Sequence, residues 1–304
     1  MNGGLHYLHF LLNNSNSLEP RASAQYKLSS TQSLSFGYGL HSQLQPLGVY
    51  FTDTTINGIK YQPNKDLGLS KSHHFVLAYD KIINEHMRIK VETYYQWLFN
   101  IPVAEDASST FSILNLQNGY TTQTLVNSGT GRNYGIELTL EQFMLKNFYC
   151  LFSTSLFNSE YRALDNIWRN TYYAANYNFT LTLGKEIMLS EKHKKRIIGL
   201  NMKTIYTGGY RKTPIDLAQS ALEKETVYVQ NEAFTQRYPD YFRIDIRLSV
   251  KRNFAKLTST VSLDVQNLTS YKNVRMQFFD PVTGAVKTEY QVPLTPVLSY
   301  RVEF

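Results

Sequence analysis

Ser72 and His74 stand two residues apart in the run SKSHHF, residues 70–75. At that spacing two side chains share one face of a β-strand. A serine beside a histidine is the start of a nucleophile–base pair, such as a small membrane lipase needs on its outer face. No acidic or amide side chain is placed to orient the histidine, so the third member of that unit is missing. His41–Ser42 and His73–His74 are adjacent pairs. Their side chains point to opposite faces of a strand, so a metal shared by His73 and His74 is not expected. Cys150 is the sole cysteine, which excludes a disulfide framework or a cysteine metal site. The sequence carries no GxSxG elbow, no HExxH and no P-loop. These residues predict no enzyme, no resident metal and no cofactor.

Charge points nowhere sharper. The net charge is +7, yet lysines and arginines are scattered singly among Asp and Glu. The one compact run is Lys192-His193-Lys194-Lys195-Arg196, which falls between two strand-like stretches and reads as a solvated turn. No nucleic-acid partner is expected.

The elements that would carry these residues are strands. Hydrophobic residues make up 42% of the 304 residues and charged ones 18%, with 23 Tyr and 17 Phe. So much aromatic residue with so little charge argues against disorder and favours strands. No apolar run is long enough for a membrane-crossing helix, and no signal peptide is visible in the first residues. Period-two alternation dominates. Phe242, Ile244, Ile246, Leu248 and Val250 share a face opposite Arg243, Asp245, Arg247 and Ser249. Val261, Leu263 and Val265 repeat it against Thr260, Ser262, Asp264 and Gln266. About twelve such segments recur, many near the 9–11 residues that a transmembrane β-strand needs.

The connections alternate between two kinds. Short ones fall near residues 29–31, 83–85, 146–147, 190–194 and 253–256. Longer ones span 43–66, 101–129, 163–170 and 211–238, with 13–17 and 280–285 as short members of the same set. Outer-membrane barrels have this asymmetry. Alternation alone fits a half-buried soluble sheet equally well, with the faces exchanged. Strand length, loop asymmetry and aromatic content decide for the barrel. Tyr94, Tyr95 and Trp97, then Trp168, Tyr172 and Tyr173, then Tyr206, Tyr210, Tyr238, Tyr241 and Phe242 fall near strand ends, as interfacial girdles would.

Several stretches resemble the C-terminal barrel of TonB-dependent outer-membrane receptors, particularly the Bacteroidota type. They are SLEPRASAQYKLS (17–29), LSFGYGLHSQ (34–43), NYGIELTLE (133–141), RIDIRLSVKRN (243–253), LDVQNLTSYKNV (263–274), FFDPVTG (278–284) and the final PVLSYRVEF. The resemblance implies an all-β, antiparallel transmembrane β-barrel. About twelve strands would be present of a larger barrel of about 22. Residues 1–304 would be the C-terminal portion of that barrel, with the plug domain, the TonB-contacting segment and the signal peptide absent. The implied function is uptake of a scarce nutrient (a metal chelate, glycan or peptide) through an integral barrel in the cell outer membrane. The implied partners are outer-membrane lipid, the barrel-assembly machinery and, through the missing plug, the TonB complex. Leu298, Tyr300, Val302 and Phe304 would form the assembly signal. The loops offer Tyr120, Trp168, Tyr210, Arg211, Tyr228 and Arg237 as candidate substrate contacts. Two rival expectations are a complete small barrel acting as a passive porin or adhesin, and an outer-membrane lipase using Ser72.

Overall fold

The computed structural model describes every residue except 57, 118 and 190–195. The short connection expected at Ser190–Lys194, and the basic run up to Lys195, lie outside the described residues.

Twelve strands form one antiparallel ladder in chain order. They are β1 (Asn2–Phe10), β2 (Ser15–Lys27), β3 (Gln32–Gln43), β4 (Ser70–Asn84), β5 (Met87–Ala104) and β6 (Leu125–Leu145). The second half is β7 (Phe148–Arg162), β8 (Tyr177–Met188), β9 (Arg196–Thr207), β10 (Tyr241–Asn253), β11 (Thr258–Gln266) and β12 (Thr295–Glu303). A short segment, Trp168–Asn170, folds back onto β7. Among the described residues β1 pairs only with β2 and β12 only with β11, so both edges of the ladder are open. The small closed barrel is not the arrangement observed.

Register explains why the alternation is so regular. A slip of one residue would move every side chain to the other face. Phe152 is opposite Leu140 on one side and Leu181 on the other. Ile246 lies between Met202 and Val265, and Leu263 between Leu248 and Leu298. Arg88, Glu92, Glu137 and Asp264 fall on the opposite, polar face, where Arg88 bridges Asp80 and Glu141.

Among the described residues no protein covers the apolar face. Ile136 is 49% exposed, Leu156 53% and Leu248 47%. A soluble sheet would bury that face in a core. The largest fully buried side chains here, among them Tyr50, Tyr161, Ile101, Val49 and Val103, lie instead at one end of the wall, in the loops and the strand ends they cover.

That end carries the long connections 44–69, 105–124, 163–176, 208–240 and 267–294, with the short 11–14. The other end carries 28–31, 85–86, 146–147 and 254–257. At 146–147 both residues take positive φ, 50° for Lys146 and 61° for Asn147, which matches the twist of a two-residue hairpin. One expectation is corrected. Residues 280–285 do not join two wall strands; they are the tip of a hairpin, Val274–Asp280 with Ala285–Tyr290, that stands off the ladder. Its strands have 7 and 6 residues and a register shift between Val274 and Met276, too short to cross like their neighbours. The 163–170 connection also runs on to residue 176, because Trp168–Asn170 turns back onto Arg162, Tyr161 and Glu160.

Candidate ligand site in the loop layer

The loop layer has its own cores. Val49, Tyr50, Leu67 and Leu125 pack with Phe10, Phe111, Ile113 and Leu116. Asn64, fully buried, donates to the Gln123 carbonyl and accepts from the Leu125 amide, both at 2.9 Å. Thr52 Oγ1 donates to the Thr121 carbonyl at 2.6 Å. A second core joins Val103, Tyr161 and Ala163 to Leu114, Val126, Leu164 and Phe234. The Tyr161 hydroxyl donates to the Thr110 carbonyl at 2.8 Å. Buried polar groups so satisfied hold irregular backbone in place.

On this support sits a cavity of about 290 Å³, walled by Tyr172, Arg211, Lys212, Tyr228, Tyr238 and Gln277. Connections 163–176, 208–240 and 267–294 all contribute to it, and 105–124 fixes one wall, because Asn115 Oδ1 accepts the Tyr172 amide at 2.8 Å. The Tyr172 ring lies 5.1 Å from both Tyr173 and Tyr210. Arg211 pairs across a two-residue ladder with Arg237. Arg211 Nη2 donates to Asn176 Oδ1 at 3.0 Å and its Nε to the Ala174 carbonyl at 3.2 Å, while Arg237 donates to the same Asn176 oxygen. Lys212 Nζ donates to Gln277 Oε1 at 2.6 Å and lies 5.3 Å from the Tyr238 ring.

Among the described residues the side-chain hydrogen bonds of all three cations go to neutral oxygens, and the carboxylate within Coulombic reach of Arg237 is Asp240. The charge of Arg211 and Lys212 is left for a ligand, and burial strengthens it. Desolvation, then the neighbouring Arg237, holds Arg211 below its ordinary pKa. Desolvation, then the crowd of phenols at Tyr238, Tyr210, Tyr173 and Tyr228, pushes Tyr172 up to about 12. Burial likewise raises Tyr228 and Tyr238. The rings stay neutral donors at ordinary pH. Two guanidiniums, an ammonium and clustered phenols fit an anionic ligand with a flat or π-rich body.

Of the six residues expected at the site, Arg211 and Tyr228 line the cavity, Tyr210 backs it through Tyr172, and Arg237 joins through Asn176. Trp168 and Tyr120 do not. Trp168 lies beside Trp97 (6.2 Å), with Arg132 4.4 Å from its ring. Tyr120 packs against Gly48 and is 61% exposed. Lys212 and Gln277 join the cavity without being expected there, and Tyr172 and Tyr238, expected among the girdle residues, line it instead. A row of rings does run across the apolar face, from Tyr177 to Tyr206 (5.8 Å), Phe242 (6.4 Å) and Tyr271 (5.9 Å). Tyr94 and Tyr241, expected in it, face the polar side with Glu137 and Arg243.

Ser72 and His74 do share a face, but it is the polar one. Among the described residues the buried Ser72 Oγ has no hydrogen-bond partner, so no nucleophile–base pair is assembled. Leu298 and Tyr300 lie on the apolar face beside Leu263 and Val261; Val302 follows in the same alternation opposite Ser259, and Phe304 follows the end of β12.

A family model described as TonB dependent receptor-like, beta-barrel, matches residues 3–268. No curated protein matches the sequence. Among solved structures the chain is similar to Fiu, the ferric-catecholate import receptor from K12 E. coli, at 15% identity and a TM-score of 0.61, covering 95% of this chain and 35% of that one. It is similar to the ferric yersiniabactin uptake receptor FyuA from Yersinia pestis at 12% identity and a TM-score of 0.63, covering 96% and 38%. It is similar to the outer membrane transporter YddB from Escherichia coli at 12% identity and a TM-score of 0.62, covering 99% and 42%. At these identities the likeness is one of fold, and the chain spans well under half the length of each.

Proposed function

We propose that this chain, which belongs to the TonB-dependent receptor-like β-barrel family, supplies twelve wall strands and the ligand-catching loops of an outer-membrane receptor for a scarce, anionic nutrient. Residues 1–304 are read as the C-terminal portion of the barrel. The open edges at β1 and β12 support this, because a sheet crossing lipid must be closed. The coverage of 35% to 42% of the similar structures supports it too. On this reading further strands, a plug and the TonB-contacting segment complete the receptor. The uncovered apolar face meets lipid, and the last strand, with Leu298, Tyr300, Val302 and Phe304, is what the assembly machinery reads.

The observation that carries the substrate class is the cluster of Arg211, Lys212 and Arg237 on neutral partners beside Tyr172 and Tyr238. A ferric catecholate is anionic and π-rich, and ferric chelates are the cargo named for Fiu and FyuA. A neutral glycan would leave Arg211 and Lys212 without an anionic partner, at a desolvation cost.

The test is binding to the protein purified in detergent from its native membrane, with a ferric catecholate complex and a neutral oligosaccharide as probes. The ferric complex is expected to bind, and Arg211→Ala with Arg237→Ala to weaken it by about tenfold or more. Binding of the neutral sugar alone, indifferent to both arginines, would overturn the proposal.

A further inference from the structure

We infer that His41 and His74 form a binding site for a divalent transition-metal ion on the polar face of the wall. The register of β3 and β4 sets His41 opposite Ser72 and Gly39 opposite His74. Both imidazoles therefore point to the polar side, where each lines two cavities of about 470 and 620 Å³. Their ring centroids are 4.6 Å apart, with the planes inclined by 44°.

Neither ring makes a hydrogen bond among the described residues. Histidines nearby are satisfied: His73 Nδ1 is 3.0 Å from the Tyr38 hydroxyl and His6 Nδ1 3.0 Å from Glu19 Oε2. Beside the unsatisfied pair lies a third orphan, the buried Ser72 Oγ. Two free imidazoles and one free hydroxyl converge on a single stretch of wall.

Gly39 makes the convergence possible. A Cβ at that position would stand 2.6 Å from His41 Nε2. The His41 ring occupies space that only glycine leaves open. The backbone there does not itself demand glycine, since Gly39 is not among the residues with positive φ.

Imidazole nitrogens bind first-row metals at about 2.0–2.1 Å, and two rings in neighbouring coordination positions then have centroids about 4.5–5 Å apart. Imidazole selects Zn²⁺, Ni²⁺ and Cu²⁺ over the oxygen-seeking Ca²⁺ and Mg²⁺, and Cu²⁺ binds tightest. No third His, Cys, Asp or Glu joins the pair among the described residues, so water and Ser72 Oγ complete the shell. A site with two protein nitrogens and open positions holds an ion reversibly.

The test is a Cu²⁺ titration of the protein purified in detergent from its native membrane, read by electron paramagnetic resonance. The expected spectrum shows two equatorial nitrogens. His41→Gln and His74→Gln should each remove one and weaken binding by about tenfold. His73→Gln, on the other face, should change nothing. Gly39→Ala keeps both imidazoles but pushes the His41 ring aside; binding should fall while the circular dichroism of the sheet stays the same. A spectrum and affinity unchanged in His41→Gln, His74→Gln and Gly39→Ala would overturn the site.

Discussion

Arg211 and Arg237 face each other across a two-residue ladder, and both guanidiniums point at one acceptor, the side-chain oxygen of Asn176. Two like charges on one neutral oxygen repel, and an anionic ligand relieves that repulsion further than the Asp240 carboxylate near Arg237 does. Arg237→Ala should therefore leave the free loop layer as stable or up to about 1 kcal/mol more stable. The same substitution should weaken an anionic chelate by about tenfold. Hydrogen exchange of residues 208–240 and a binding titration read the two effects separately.

Tyr172 gives a pH signature. It is neutral when protonated, and its pKa rises from the ordinary 10.0 to about 12 through burial and its neighbouring phenols. Folding therefore favours the protonated form. That stabilisation is complete below pH 10 and is lost as the pH rises through about 12. Ultraviolet titration should show a late tyrosinate step, and Tyr172→Phe should lower its amplitude without abolishing it, because burial also pushes Tyr161 up to about 12. Cavity binding should fail over the same window, because a phenolate beside Arg211 competes with the anion.

Gly209 marks where the loop layer joins the wall. Its amide donates to Asp240 Oδ1 at 3.2 Å, and Asp240 Oδ2 also accepts from the hydroxyls of Tyr177 (2.7 Å) and Tyr206 (2.6 Å). A methyl group on Gly209 would collide with the Tyr238 carbonyl. Gly209→Ala should cost about 1–3 kcal/mol, confined to the loops. Limited proteolysis should cut within 208–240 while the strands remain protected.

Adjacent residues on β7 test which face meets lipid. Leu156 lies between Ile136 and Tyr177 on the apolar side, and Ser155 between Glu137 and Asn178 on the polar side. A lysine facing hydrocarbon costs about 2–4 kcal/mol near the midplane. Leu156→Lys should cut recovery from the membrane, and Ser155→Lys should be tolerated because it meets Glu137. Quantitative blotting of membrane fractions distinguishes them.

The wall was legible in the sequence because period two acts on neighbouring residues: Phe242 to Val250 and Val261 to Val265 declare their faces without reference to the rest of the chain. The loop layer was not. Arg211 and Arg237 stood out as charged loop residues, but their meeting at Asn176 depends on contacts 35 and 61 residues apart. Tyr172 looks like Tyr206 in sequence, yet one backs a cavity and the other lies in the row of rings on the apolar face. The 274–290 hairpin alternates like wall strands and misled the count of connections; its short length was the available sign.

On the proposed reading these twelve strands are part of a larger closed wall. Heat-modifiable gel mobility tests it most directly, on the chain expressed alone and fractionated in detergent. No compact form that shifts on boiling is expected, because among the described residues β1 and β12 have no partners to close against. A compact outer-membrane species that shifts on boiling would contradict it and establish a self-closing barrel. A stable protein soluble without detergent would contradict the membrane wall itself.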